Sequence, residues 1–177
     1  MKAIGRGYIH IYTGNGKGKT SAALGLALRA AGHGLKTIIV QFMKGRHYGE
    51  LDAVKKLEGL VTIEQFGHPT FCRFADTPDP ADVKRAQSAL SRVYELMGSH
   101  SCDIIVADEI ITAVLFKLVK EEDALEVMRT KPEGMELVLT GRGATELMTE
   151  AADLVTEMRE VKHYYSKGVE AREGIES

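Results

Sequence analysis

Apolar positions along this chain fall into two alternating periods, two residues and three-to-four residues, repeated from one end to the other. Tyr8-Ile9-His10-Ile11-Tyr12 alternates side to side as a strand does, and Ser21 to Ala31 is rich in Ala and Leu, which predicts a helix. Gly32-His33-Gly34 stops that helix, and Thr37-Ile38-Ile39-Val40-Gln41-Phe42 has the continuous apolar character of a buried strand. A short helix is expected over Glu50 to Leu57 and a third strand over Val61 to Phe66. Asp79-Pro80 has the form of a helix start, with Asp at the N-cap and Pro in the first turn. Val83, Ala86, Leu90, Val93 and Met97 then follow at spacings of three and four, so one stripe faces a sheet.

Asp103 to Glu109 is a fourth strand ending in two carboxylates. Helical patterns over Ile111 to Lys117 and Glu121 to Thr130 lead through Pro132-Glu133-Gly134 to a fifth strand, Glu136 to Thr140. A last helix is expected over Ala144 to Ala151 and a sixth strand over Leu154 to Met158. Strands alternating with helices predict an α/β fold with a mostly parallel central sheet flanked by helices. Residues 67–80, with three of the four prolines and no period, form a long loop, and loops of that length usually serve function.

The 177 residues show no repeat or low-complexity linker, so residues 1–177 read as one domain. A net charge of −2 gives no bulk attraction to nucleic acid or to an anionic membrane. No apolar run approaches the ~20 residues of a membrane span, and the first residues lack a signal peptide's apolar core. Cys72 and Cys102 have neither zinc-ligand nor disulfide-framework spacing. A reducing, cytoplasmic setting is the expectation.

Thr13-Gly14-Asn15-Gly16-Lys17-Gly18-Lys19-Thr20 lies between the first strand and the first helix. A strand, a glycine-rich turn and a helix N-terminus make a concave row of backbone N–H groups, and the helix dipole adds roughly half a positive charge at its mouth. Gly14, Asn15, Gly16, Lys17, Gly18, Lys19, Thr20 and Ser21 are therefore the expected phosphate-binding residues. Lys19 would neutralise phosphate oxygens and Thr20 would ligate a bridging Mg²⁺. Thr13 holds the place of the motif's usual first glycine. Asp108 and Glu109, at another strand end, are the candidate metal carboxylates, holding the ion directly or through water, with helix capping as the alternative role for one of them. Arg142, between two glycines, suits a bidentate clamp on phosphate, or else is a plain surface arginine. Lys19, Glu109 and Arg142 form the expected catalytic set. From spacing alone Arg29 is a solvated helical residue, and the histidines have no metal-ligand spacing.

Several of these segments recur together in one family. Tyr12-Thr-Gly-Asn-Gly-Lys-Gly-Lys-Thr20, Arg29-Ala-Ala-Gly-His-Gly34, Val40-Gln-Phe-Met-Lys-Gly45, Asp108-Glu109, Leu139-Thr-Gly-Arg142, Ala152-Asp-Leu-Val-Thr-Glu-Met158, Lys162-His163 and Gly174-Ile-Glu176 occur in that order. The chain thereby resembles the P-loop ATP:cob(I)alamin (corrinoid) adenosyltransferases of cobalamin biosynthesis and salvage. The resemblance implies a transferase that moves the 5′-deoxyadenosyl group of ATP to the cobalt of a reduced corrinoid and releases triphosphate. It further implies Mg²⁺, a flavoprotein reductant, a homodimer, and ATP or metal contacts at Arg29 and Glu109.

Relatives carry a Phe and a Trp two residues apart that pack beneath the corrin ring and displace the lower axial ligand. This chain has no tryptophan, and its corresponding run is Thr70-Phe71-Cys72-Arg73-Phe74. Phe71 matches the first aromatic and Arg73 stands at the second. Either Phe74 substitutes, or the corrinoid is handled differently, or both rings simply pin the loop. The rival functions are a P-loop small-molecule kinase or NTPase, and a non-catalytic nucleotide- or corrinoid-binding module.

Overall fold

The computed structural model describes residues 4–69 and 77–176. Six strands form one sheet: β1 Ile9–Thr13, β2 Thr37–Phe42, β3 Val61–Phe66, β4 Ile104–Asp108, β5 Glu136–Thr140 and β6 Leu154–Glu157. Their order across the sheet is β3-β2-β4-β5-β1-β6. Every pairing is parallel, so the sheet expected to be mostly parallel is parallel throughout.

The helices are α1 Lys19–Ala31, α2 Gly49–Lys55, α3 Pro80–Ser99, α4 Ile110–Leu115, α5 Glu121–Arg129 and α6 Glu146–Ala151. Alternate residues of the central strands feed two cores. Ile39, Val106 and Val138 meet Ala23, Ala27, Ala30 and Ala31 of α1 on one face. Ile38, Ile105, Leu137 and Leu139 meet the apolar sides of α3, α5 and α6 on the other. The four alanines let α1 lie close to the sheet, which sets the depth of the loop that precedes it. Asp79 caps α3 as its sequence predicts, its carboxylate accepting from the Ala81 amide at 2.8 Å, with Pro80 at the first helical position.

Several element ends differ from the periodicity by one or two residues, and at two of them the local cause is plain. Helix α1 starts two residues earlier than expected because Lys19 and Thr20 already adopt helical geometry behind the positive-φ Gly18. Helix α6 starts two residues later, since Thr145 is its N-cap and accepts from the Met148 amide at 3.2 Å. Among the described residues no helix is long and apolar enough to cross a membrane.

Candidate active site

A fully parallel sheet puts the carboxyl ends of all its strands on one edge, and the chemistry-bearing residues collect there. The glycine loop leaves β1, Lys44 follows β2, Asp108-Glu109 ends β4, and Thr140-Gly141-Arg142 ends β5.

The loop is shaped by more than the ligand it was expected to cradle. Gly16 donates its N–H to the Met158 carbonyl at 2.6 Å, and Met158 donates back to Thr13 at 2.8 Å. A Cβ at Gly14 or Gly16 would stand 2.5 or 2.6 Å from that same carbonyl, closer than carbon and oxygen approach. These two glycines therefore admit the chain leaving β6, while Gly18, at φ 120°, turns the backbone into α1. No side chain caps α1, so its first amides remain for an anion. The Lys19 ammonium donates to the carbonyls of Gly14 at 2.7 Å and Gly16 at 2.8 Å. An ammonium has three N–H donors, so one is left for a phosphate oxygen. Burial lowers the Lys19 pKa, against the opposing charges of Glu109 and Asp108.

Asp108 has no exposed surface and accepts four hydrogen bonds. Thr20 and Thr140 hydroxyls donate to its Oδ1 at 2.9 and 2.7 Å. Gln41 Nε2 and Lys44 Nζ donate to its Oδ2 at 3.2 and 2.8 Å. A carboxylate offers about four lone-pair positions, and all of them are taken. Asp108 thus stands behind the site and, as arranged, is not open to a metal. Of the two forms the sequence allows, a metal held directly or through water, the four donors leave the direct form no open position as arranged.

Glu109 is different. It caps α4 with a left-handed φ of 66° and lines the cleft. Its amide donates to Thr140 Oγ1 at 2.9 Å, and its Oε2 accepts from the Thr112 hydroxyl at 2.5 Å. Thr112 Oγ1 in turn accepts from the Arg142 amide at 2.9 Å, which ties the arginine loop to the glutamate. Gly141 makes this close approach possible, because a Cβ there would sit 2.4 Å from the Thr112 nitrogen.

A cleft of about 880 Å³ opens over these groups, lined by residues 15–21, Lys44, Glu109 and Arg142 on its floor. Its far wall is the segment after β6, including His163, Gly174, Ile175 and Glu176. Lys17 is fastened to that wall: its ammonium donates to Glu176 Oε1 at 2.9 Å, the Ile175 carbonyl at 3.0 Å and the Tyr164 hydroxyl at 3.3 Å. Glu176 also accepts from the backbone and guanidinium of Arg172 and from Tyr164. The Arg172, Tyr164 and Lys17 hydrogen bonds hold its carboxyl well below the usual carboxylate range.

The structure thus gathers Asn15 to Ser21, Glu109 and Arg142 around one cleft, with Gly14 beneath it. It ties Lys17 to the tail rather than leaving it directed at phosphate. Arg29 is exposed in the last turn of α1, about 15 Å of helix rise from Lys19, and does not line the cleft. Phe71 and Phe74 lie outside the described residues. Lys44, Thr140, Thr112 and Gln41 escaped the sequence reading as site residues. For Lys44, Thr140 and Gln41 a place at or just past a strand end was the available signal, whereas Thr112 lies within α4. Among the described residues no three His, Cys, Asp or Glu side chains cluster to hold a metal by themselves. A cation here would take Thr20 and Glu109 from the protein and its other ligands from phosphates, the usual arrangement for Mg²⁺.

Comparison with known proteins identifies the site's kin. The fold resembles that of a KaiC-like protein of Pyrococcus horikoshii, with a TM-score of 0.54 and 19% identity over 86% of this chain and 72% of that one. It also resembles the flagellar accessory protein FlaH of Methanocaldococcus jannaschii, with a TM-score of 0.60 and 14% identity over 86% and 71%. Those likenesses concern the P-loop fold alone. In sequence, a corrinoid adenosyltransferase of Escherichia coli K12 is 35% identical over 97% of this chain and 86% of its own length. The enzyme of Pseudomonas aeruginosa is 34% identical over 97% and 84%, and CobA of Salmonella typhimurium 34% over 97% and 86%. The family described as ATP:corrinoid adenosyltransferase BtuR/CobO/CobP matches residues 5–177, and the chain belongs to it.

Proposed function

We propose that this protein transfers the 5′-deoxyadenosyl group of ATP to the cobalt of a reduced corrinoid. The observation that carries the reading is the cleft: a phosphate loop with its lysine, the Glu109 carboxylate and the Arg142 guanidinium, in a member of this family. The cobalt(I) electron pair attacks the ribose C5′, a Co–C bond forms, and the C5′–O bond breaks with its pair going to triphosphate. Cobalt rises formally from I to III, and no phosphorus is attacked. The protein's task is to align C5′ with cobalt and to receive the charge of the departing triphosphate.

The loop amides and the third N–H of Lys19 hold phosphate oxygens, and the Arg142 guanidinium clamps one from the side of β5. Thr20 and Glu109 are the residues that would hold Mg²⁺, which when bound neutralises the leaving group. Thr112 and Thr140 keep Glu109 in place. Phe71 and Phe74 remain the residues for the lower face of the corrin. The same reading includes a flavoprotein that supplies cobalt(I), a homodimer and a cytoplasmic location, all on the family resemblance.

The test is incubation with ATP, Mg²⁺ and chemically reduced cobalamin, following the corrinoid spectrum and the phosphate product together. Triphosphate with an adenosylcobalamin spectrum is the expected result. Orthophosphate would mean a kinase or NTPase, and neither product would mean a binding module.

A further inference from the structure

The Lys44 ammonium stands where the hydroxyl of a phosphate loop and the carboxylate of a neighbouring strand face one another. It donates to Asp108 Oδ2 at 2.8 Å and to Thr20 Oγ1 at 3.2 Å. Its position is fixed by the backbone. Met43, at φ 61°, turns the chain back over the end of β2. Gly45 and Gly67 then pack so tightly that a Cβ on either would come within 2.5 Å of the other strand's main chain. The Tyr48 ring lies 5.7 Å from Nζ on the open side. Burial would lower the Lys44 pKa, but the charge and hydrogen bond of Asp108, with Glu109 and Glu50 beyond, raise it, so the group stays a cation.

Lone-pair counting gives the consequence. Asp108 is saturated by four donors, one of them Lys44. Thr20 gives its one proton to Asp108 and accepts from Lys44, which leaves one lone pair of two. Glu109 keeps acceptor capacity beyond its Thr112 bond and faces the cleft.

We propose that Lys44 is a positioning residue that keeps Asp108 out of the metal's coordination sphere and confines a divalent cation to Thr20 and Glu109. The side chain acts through its neighbours, by occupying Asp108 and one of the two acceptor positions of Thr20. This rests on the cleft being a metal–nucleotide site, and a test without corrinoid separates its failure from failure of the transfer chemistry.

The experiment is titration of Mn²⁺, read by loss of the free-ion EPR signal, with and without ATP. The K44A variant removes the ammonium and vacates its volume, so nucleotide-free protein should bind Mn²⁺ about tenfold or more tightly than the unchanged chain, because a second carboxylate becomes available. The K44A/D108N double variant should lose that gain. A role in merely neutralising a buried aspartate would lower stability in K44A without adding a metal ligand. Affinity equal to or below that of the unchanged chain in folded K44A would overturn the proposal, as would a gain that persists in the double variant. E109Q leaves every buried ion pair intact and tests the other half should K44A not fold. Mn²⁺ affinity in its ATP complex should fall about 10-fold or more. An unchanged affinity would overturn the assignment.

Discussion

Thr140→Val is the sharpest test of how the site is built. The side chain is fully buried, and valine has nearly its shape, so the change removes a hydroxyl and little else. That hydroxyl donates to Asp108 Oδ1 at 2.7 Å and accepts from the Glu109 amide at 2.9 Å. Losing a hydrogen bond to an ionised carboxylate costs roughly 1.5–3 kcal/mol, and stranding the amide adds about 1–3 kcal/mol where water is excluded. Glu109 is only partly buried, so water restores some of the second loss. A net destabilisation of about 3 kcal/mol is the expected outcome. With a urea m-value of about 2 kcal/mol/M, the denaturation midpoint should fall by about 1.5 M. For a chain of this length the thermal midpoint should drop by roughly 6–12 °C. Thr140→Ser is the control, since it keeps the hydroxyl and loses one methyl, worth about 1 kcal/mol. If the valine variant is no less stable than the serine variant, the hydroxyl bridge does not hold the two carboxylates and the account of the site fails.

Lys19→Ala should reduce adenosyl transfer on the order of 10²-fold or more while far-UV circular dichroism is unchanged, and near-normal turnover would remove Lys19 from phosphate stabilisation. Gly16→Ala should disturb the loop and the segment after β6 together, because its methyl would press on the Met158 carbonyl at 2.6 Å; ATP affinity equal to that of the unchanged chain would contradict this. Glu176→Gln should release the tail at neutral pH, seen as faster amide exchange over residues 163–176 and at Lys17. The Glu176 carboxyl is depressed by Arg172, Tyr164 and Lys17, so its contribution is present above the unfolded glutamate value and is lost as pH falls toward the depressed one. Lys17 is raised chiefly by its hydrogen bond to Glu176, so its contribution holds below the unfolded lysine value and is lost as pH rises through the raised one. Tail protection, taken relative to the intrinsic exchange rate at each pH, that does not fall between neutral and acid pH would refute the fastening.

Strands β2, β4 and β5 were legible as buried runs and β1 and β3 as runs closed by glycine: β2, β3 and β5 begin and end where their apolar runs do. The cap of α3 was legible because Asp-Pro encodes it locally. The phosphate loop and the pair Asp108-Glu109 were visible as residue types at strand ends. Which of the two carboxylates faces the cleft was not visible, since it depends on donors from β2, β5 and α1 that are distant in sequence. Lys44 was hidden for the same reason: its partner lies 64 positions away. The anchoring of Lys17 was hidden too: a lysine beside three glycines reads as a phosphate contact, and the tail its ammonium reaches is 159 positions away. Arg29 entered through family resemblance alone, and helix geometry carries it away from the cleft.

Strand β1 lies between β5 and β6, so the segment that launches the phosphate loop has no strand partner until residues 136–157 exist. The first of these contacts joins Tyr8 to Glu136 across 128 positions. During synthesis, at about 5–20 residues per second, the earliest strand therefore waits for several seconds as an unpaired apolar segment. The loop's own closing bond, from Gly16 to Met158, comes later still. Competence to bind a nucleotide should arise in a single late event rather than grow with the chain. A fragment ending before β5 carries the whole glycine motif in its sequence and no cradle in its structure.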